Sequence, residues 1–203
     1  MIKNIVFDIG NVILNFRYKE VVKEFSNNKE EQDFIVDNII NSPEWLQYGL
    51  IDTGYIDRNI AISLIQDRTN HKMDNLVYDF WMNYPKYLKI NKEVIDIIID
   101  LKNKNYNIYL LSNINPYITK NIKETSNLFD LVDGYILSYE VHQIKPYEAI
   151  YKKLINTYKI NPEESLFIDD NLNNINTGKR IGFISKKVEQ DDVDSVRNAL
   201  KNI

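Results

Sequence analysis

The chain alternates short apolar runs with segments of helical periodicity, and this alternation limits its possible folds more than any other feature. Strands that are joined through helices pair in parallel. The sequence therefore predicts an α/β fold with a parallel sheet. The predicted strands are Ile2–Phe7, Asn107–Leu111, Leu131–Leu137, Ser165–Ile168 and Gly182–Val188.

Helical patterns separate the later strands. Glu93–Lys104 carries apolar residues near helical spacing, and the segment Asn171–Arg180 directly follows a predicted strand. Pro146 stands where a helix through Ile150 and Leu154 would begin, and proline is favoured at the first helical position.

Residues 16–90 interrupt this alternation with few strand-like runs. Phe34, Ile35, Ile39 and Ile40 have helical spacing there. A length of 203 residues exceeds one typical domain and falls short of two, which fits one domain with an insertion. We predict a core of residues 1–15 and 91–203 and a helical cap of residues 16–90, which would close over the sheet as a lid.

Composition excludes several classes of protein. The chain has no cysteine, which removes disulfides and thiolate catalysis. Its net charge of −4 and the absence of long lysine runs argue against nucleic acid as a partner. No apolar run approaches the length of a membrane span. The start of the chain does not resemble a secretory signal, so a cytoplasmic location is expected.

A carboxylate follows the first strand, in the segment Ile-Val-Phe-Asp-Ile-Gly-Asn-Val from Ile5 to Val12. Open α/β sheets bind ligands at the carboxyl ends of their strands. Asp8 is therefore the best candidate for a covalent nucleophile. The alternative is a helix cap or a turn, since aspartate favours both.

Polar side chains also follow the later strands. Ser112 and Asn113 can donate hydrogen bonds to a phosphate oxygen, although turn formation is the commoner role of such a pair. Lys145 offers a point charge to an anion, but exposed lysines are common. Each of these signals is weak alone.

Asp169 and Asp170 are adjacent carboxylates at a strand end, where their repulsion needs a cation or donors to offset it. Mg²⁺ is held by one or two carboxylates, waters and substrate phosphate, which suits Asp8 and Asp170 with Asp169 in support. Capping of the helix that follows is the alternative.

In their order and strand-end placement, these residues resemble the four motifs of the haloacid dehalogenase superfamily of phosphohydrolases. The resemblance covers essentially the whole chain and implies a Rossmann-like three-layer α/β/α core with an inserted helical cap. Trp45 and Gly49 resemble the small cap of the subgroup with sugar-phosphate phosphatases of the glucose-1-phosphate type. The matching motif residues are Asp8, Ser112 with Asn113, Lys145 with Pro146, and Asp169 with Asp170.

The resemblance implies a Mg²⁺-dependent phosphatase of a small phosphorylated metabolite, above all a sugar phosphate. An aspartyl-phosphate would form on Asp8, and Lys145 would share in catalysis. The implied metal ligands are Asp8, the backbone carbonyl of Gly10, Asp169 and Asp170, and the implied substrate-binding residues are Ser112, Asn113 and Lys145.

Gly10 departs from the commonest form of the first motif, in which an aspartate acts there as general acid and base. Losing such an acid typically costs about 10² to 10⁴ in rate, or roughly 3 to 5 kcal/mol of barrier. An easily departing leaving group needs the acid less, which favours a sugar 1-phosphate as substrate.

Three alternatives to the phosphatase stay open, and the sequence assigns no oligomeric state. A sugar phosphomutase would need the acid–base aspartate that Gly10 replaces. Haloacid dehalogenases also lack the second aspartate but dispense with Mg²⁺, so Asp169 and Asp170 speak against a 2-haloacid dehalogenase-like hydrolase. A catalytically weak regulatory protein that binds a phosphorylated ligand is compatible with Gly10.

Overall fold

A five-stranded parallel sheet forms the centre of the protein in a computed structural model that describes residues 1–44, 49–201 and 203. The strand order is β5-β4-β1-β6-β7, and every pairing in this sheet is parallel. The predicted α/β fold with a parallel sheet is confirmed. In chain order the strands are β1 (Asn4–Phe7), β2 (Leu14–Asn15), β3 (Lys89–Ile90), β4 (Asn107–Ser112), β5 (Gly134–Leu137), β6 (Ser165–Asp169) and β7 (Ile184–Lys187).

Helices surround the sheet and fill the connections between its strands. A π-helical turn (Val36–Ile40) continues α2, and 3-10 turns occupy Tyr84–Tyr87 and Pro162–Glu164. None of the helices in the described ranges is long and apolar enough to cross a membrane. The helices are α1 (Tyr18–Lys23), α2 (Lys29–Ile35), α3 (Arg58–Arg68), α4 (Asp74–Asn83), α5 (Lys92–Asn103), α6 (Pro116–Thr125), α7 (Leu128–Leu131), α8 (Ser138–Val141), α9 (Glu148–Tyr158), α10 (Leu172–Ile181) and α11 (Val193–Ala199).

The three central strands β4, β1 and β6 are buried on both faces, as is typical of apolar strands in a parallel sheet. Alternate residues of β1 point into two different hydrophobic cores, because side chains alternate along a strand. Ile5 belongs to the same core as Ile98 of α5, whereas Val6 belongs to the core that contains Tyr151 and Leu154 of α9. These two cores give the three layers of a Rossmann-like α/β/α fold.

Three predicted strands are shorter in the structure. The first begins at Asn4 and not at Ile2, and the other two begin later for local reasons. Leu131 ends α7, so β5 begins only at Gly134. Gly182 is the C-cap of α10 with a φ of 109°, a left-handed conformation that favours glycine, so β7 begins at Ile184.

The prediction that Pro146 begins a helix is wrong. Pro146 lies in a turn, with a cis peptide before it, and the Tyr147 N–H donates to the carbonyl oxygen of Ile144 across that turn (3.0 Å). Tyr147 is the N-cap of α9, which begins at Glu148. Contacts of the Lys145 backbone, described below, hold this segment outside the helix.

The helices α1 to α4 lie between two short strands that pair with each other. Leu14 of β2 faces Ile90 of β3 in an antiparallel pair, and the Asn91 N–H donates to Ile13 O (2.8 Å). The chain therefore leaves the sheet region and returns to it at the same place. The apolar residues predicted to form a helical pattern in this segment are buried, namely Phe34, Ile35, Ile39 and Ile40.

Candidate active site

The polar residues predicted at strand ends meet at the carboxyl edge of the sheet. Phe7, the last residue of the central strand β1, is level with Leu110 of β4 and Ile168 of β6. Asp8 therefore lies between the end of β4 and the end of β6. The parallel topology brings residues more than 100 positions apart in the sequence to one edge.

A buried lysine links two of these carboxylates. Lys145 Nζ lies 2.6 Å from Asp169 Oδ2 and 2.9 Å from Asp8 Oδ1, and only 1% of the lysine side chain is exposed. Burying an ion costs several kcal/mol of lost hydration unless partners of opposite charge compensate it. The three groups therefore form one electrostatic unit centred on Lys145, whose loss would leave both carboxylates without a compensating cation.

The pKa values follow from this arrangement. Burial raises the pKa of Asp8, and the Lys145 ammonium opposes that effect while the carboxylates of Asp169 and Asp170 add to it. Burial alone would lower the pKa of Lys145, but the attraction of Asp169 and Asp8 outweighs it and raises that pKa above its ordinary value. Lys145 therefore keeps its positive charge at neutral pH.

Asp169 uses both of its oxygens to hold its neighbours. Oδ1 accepts hydrogen bonds from Asn171 N (2.8 Å) and Asn174 Nδ2 (3.0 Å). Oδ2 accepts from Lys145 Nζ (2.6 Å) and also from Asn174 Nδ2 (3.0 Å). The fully buried Asp169 thereby fixes the position of the Lys145 ammonium.

Asp8 and Asp170 each keep one oxygen open. Asp8 Oδ1 accepts from Ile9 N (2.6 Å), and Asp170 Oδ2 accepts from Asn11 Nδ2 (3.1 Å) and Gln190 Nε2 (2.8 Å). Within the described ranges, neither Asp8 Oδ2 nor Asp170 Oδ1 receives a hydrogen bond.

The donor set fits a hard divalent cation. One carboxylate oxygen each from Asp8, Asp169 and Asp170 lies within 4.8 Å of the others. The Lys145 ammonium pairs with two of these three carboxylates, so negative charge remains in excess. Oxygen ligands with excess negative charge are what Mg²⁺ prefers.

Ser112 and Asn113 also lie at this edge, and Asn113 has a contact that the sequence could not reveal. Its Oδ1 accepts from Lys145 N (2.8 Å) while its Nδ2 donates to Lys145 O (2.9 Å). This pair of bonds holds the backbone of Lys145 in its turn. Ser112 is fully buried, and among the described residues its hydroxyl has one hydrogen-bond contact, a long one of 3.5 Å to Asn113 O.

Neither steric crowding nor backbone conformation requires a glycine at position 10. A Cβ built there would meet no atom within 4 Å, and the residue does not have the positive φ that favours glycine. Gly10, two residues after Asp8, lines a cavity of about 180 Å³. The residues that line this cavity are Gly10, Asn11, Leu14, Phe16, Asp52, Asn113, Ile114 and Ile118.

Asp52 was missed by sequence reasoning. The sequence Asp-Thr-Gly at 52–54 is typical of a turn, and no periodicity connects residue 52 with residue 10. In the structure, Asp52 Oδ1 accepts from Asn115 Nδ2 (3.2 Å). Burial raises the pKa of Asp52 to about 6, which the bond from Asn115 only partly opposes.

The segment around Asp52 is packed onto the core. Ser138 Oγ donates to Asp52 O (2.5 Å), and His142 Nδ1 donates to Thr53 O (2.7 Å). Gly54 has a φ of +70°, and a Cβ there would lie 2.7 Å from a main-chain oxygen of the core. These contacts fix the Asp52 backbone beside the cavity.

Asp52→Asn should raise the free energy of unfolding at pH 8 and leave it nearly unchanged at pH 4. The pKa of Asp52 is raised by burial from 3.8 to about 6, so stability is lost as pH rises between these values. Such a shift corresponds to about 3 kcal/mol, and for a partly exposed carboxyl we expect about 1 to 2 kcal/mol. Urea unfolding at both pH values measures the difference. An equal change at pH 4 and pH 8 would contradict this account.

A family model and a characterised relative both match most of this chain. The family model described as haloacid dehalogenase-like hydrolase matches residues 2–182. A D-ribitol-5-phosphate phosphatase of Bacteroides thetaiotaomicron is 29% identical over 192 residues, which cover 90% of each chain.

Solved structures show the same fold. A protein described as a predicted HAD-like family hydrolase, from Porphyromonas gingivalis, aligns over 100% of both chains with a TM-score of 0.77 and 25% identity. A HAD family enzyme of Bacteroides thetaiotaomicron, solved with magnesium and inorganic phosphate, aligns over 95% of this chain and 96% of its own. Its TM-score is 0.71 and its identity is 24%.

Proposed function

This chain belongs to the haloacid dehalogenase-like hydrolases, and from that premise we propose that it is a Mg²⁺-dependent phosphatase of a small sugar or polyol phosphate. One observation carries the proposal: Asp8 keeps an open oxygen beside the buried Lys145 ammonium and the carboxylate of Asp170. A nucleophile, a fixed cation and a metal ligand at one sheet edge are the parts that phosphoryl transfer requires.

Asp8 is the nucleophile in this proposal. Its open Oδ2 attacks phosphorus, the bond from phosphorus to the leaving oxygen breaks, and an aspartyl-phosphate results. Water then attacks phosphorus and restores Asp8. A carboxylate at about 4 Å from one phosphate charge is repelled by about 4 kcal/mol at an effective dielectric near 20, and the Lys145 ammonium opposes this repulsion.

Asp8, Asp170 and the backbone carbonyl of Gly10 would hold Mg²⁺. When bound, the ion would neutralise charge on the phosphate and on the carboxylates around it. Asp169 would act by positioning, because its oxygens already bind Lys145 and Asn174. Asn113 would position Lys145 in the same way, through the lysine backbone.

We also propose that residues 16–90 act as a cap over a core of residues 1–15 and 91–203. The pairing of β2 with β3 supports these domain boundaries. The role as a cap is supported by Asp52, which lines the same cavity as Gly10. Trp45, which the sequence assigns to the cap, lies outside the described residues.

The size and lining of the cavity favour a small, partly polar substrate. Its volume of about 180 Å³ suits a compact metabolite, and Phe16, Leu14 and Ile118 give it apolar walls. Asp52 and Asn113 supply the polar groups that a hydroxylated carbon chain can bind. The relative that acts on D-ribitol 5-phosphate supports the same class of substrate.

A panel of phosphorylated sugars, polyols and nucleotides tests the proposal by release of inorganic phosphate. We expect release from at least one sugar or polyol phosphate in Mg²⁺, its loss on chelation with EDTA, and its recovery when Mg²⁺ is added back.

Two results would contradict the proposal. A ligand that raises the melting temperature without any phosphate release would indicate a regulatory binding protein. Chloride release from 2-chloropropionate without Mg²⁺ would indicate a dehalogenase.

A further inference from the structure

We propose that Asp52 is the general acid of this site, and that its carboxyl protonates the leaving oxygen as the phosphate ester breaks. The inference rests on the proposed phosphatase function. It assigns the proton source that a side chain at position 10 would otherwise supply, because Gly10 has none.

The cavity that Gly10 lines offers one acid for this task. Of the described residues that line it, only Asp52 has a titratable side chain, and the others are apolar, amides or Gly10. Asp52 and Gly10 line the same small volume, so a group bound between them is within reach of both. A proton donor must stand within hydrogen-bond reach of the atom it protonates.

The Asp52 carboxyl is oriented by a buried asparagine. Asn115 Oδ1 accepts from Tyr117 N (3.2 Å) and Ile118 N (3.1 Å) at the start of α6, so its amide nitrogen faces Asp52. That nitrogen donates to Asp52 Oδ1 (3.2 Å). Within the described ranges, Asp52 Oδ2 receives no hydrogen bond, and this oxygen is free to carry the proton.

The groups that face Asp52 carry no charge that would hold it ionised. Ser138 contacts its backbone, and Tyr84 lies beyond Asn115 with a pKa that burial raises far above its ordinary value. Arg58, on the same segment, lies over the ring of Tyr117 at 4.5 Å. Asp52 forms no ion pair with any described residue, unlike Asp8. Burial raises the pKa of Asp52 to about 6, which suits proton transfer near neutral pH.

The proton is accounted for in both half-reactions. As the Asp8 oxygen bonds to phosphorus and the ester bond breaks, the Asp52 O–H proton passes to the leaving oxygen. The products are a free alcohol, the aspartyl-phosphate and the Asp52 carboxylate. That carboxylate then takes a proton from the water that attacks phosphorus, which releases inorganic phosphate and restores both Asp8 and protonated Asp52.

Asp52→Asn tests the assignment with two esters in Mg²⁺. For an alkyl phosphate such as D-ribitol 5-phosphate, whose leaving group needs a proton, we expect kcat/KM to fall by about 10² to 10³. For p-nitrophenyl phosphate, whose leaving group departs as an anion, we expect a fall of less than about tenfold. Asparagine keeps the acceptor for Asn115, so the site geometry is preserved.

Asp57→Asn is the matched control, because it makes the same change five residues away. Asp57 Oδ1 accepts from Asn59 N and Ile60 N at the start of α3, and asparagine caps helices as well as aspartate does. Both esters should be hydrolysed at wild-type rates.

Gly10→Asp in the Asp52→Asn protein adds a rescue. A side chain at position 10 enters open space in the same cavity, so a carboxyl there can replace the lost acid. We expect recovery of about tenfold or more for the alkyl phosphate and little change for p-nitrophenyl phosphate.

The unmodified protein supplies a test that does not depend on any variant folding. Its kcat/KM for the alkyl phosphate should fall as pH rises above the pKa of Asp52, and that for p-nitrophenyl phosphate should not follow the same fall.

Either of two results would overturn the assignment while leaving the phosphatase intact: equal losses on both esters in Asp52→Asn, or no loss on either. Absence of phosphate release by the wild-type protein from every ester would instead refute the function on which the assignment rests.

Discussion

Asp8→Asn should fold like the wild-type protein and lose phosphatase turnover by a factor of about 10⁵, or about 7 kcal/mol of barrier. Asparagine has nearly the same shape but cannot form the aspartyl-phosphate. Its carbonyl oxygen still accepts from Ile9 N, and Lys145 keeps its pair with Asp169. The fold therefore stays intact while the covalent step disappears.

Steady-state hydrolysis of p-nitrophenyl phosphate measures this loss. Intact-mass analysis after an acid quench checks its cause, because the wild-type protein should carry one phosphoryl group during turnover and Asp8→Asn should carry none. Asp96→Asn, on the exposed side of α5, is the control and should retain full activity. Turnover by Asp8→Asn within about tenfold of the wild-type rate would contradict the covalent mechanism.

Lys145→Met should weaken both the fold and the activity, in contrast with the loss of Asp8. Without the ammonium, Asp8 and Asp169 face each other in a buried site with no cation between them. Breaking a buried ion pair on one side costs about 3 to 5 kcal/mol of stability. Losing a preorganised charge aimed at the reacting group costs about 10² to 10³ in kcat.

Lys102→Met provides the matched comparison, since it makes the same substitution in a half-exposed ion pair. Lys102 Nζ lies 2.6 Å from Asp133 Oδ1, with the two side chains 34% and 33% exposed. Pairs of this kind contribute less than about 1 kcal/mol. Urea unfolding of the two variants compares the stability lost with a buried ion pair and with a half-exposed one. Equal losses of unfolding free energy would contradict a stabilising role for the buried Lys145 cluster.

The sequence was sufficient to predict the sheet and the residues at its carboxyl edge. Each strand is a local apolar run, and parallel pairing then places every strand end on one side. Asp8, Ser112 and Asp169 are found together because their positions follow from strand boundaries alone.

Contacts between distant loops could not be predicted in this way. Asn113 and Lys145 lie 32 positions apart and are joined by two hydrogen bonds. No local sequence pattern predicts that contact. The same is true of Asp52 and Asn115, which lie 63 positions apart. The wrong prediction for Pro146 has the same cause, because the backbone contacts of Lys145 hold Pro146 in a turn and override the preference of proline for the first position of a helix.

The antiparallel pairing of β2 with β3 has an architectural consequence. Leu14 and Ile90 are paired neighbours, so the segment inserted between them begins and ends at one place, as the loop of a β-hairpin does. The inserted segment adds no net displacement between β1 and α5, so its length does not affect the spacing of the sheet. Such a junction lets the inserted segment change in length or sequence without any change in the sheet edge that carries Asp8.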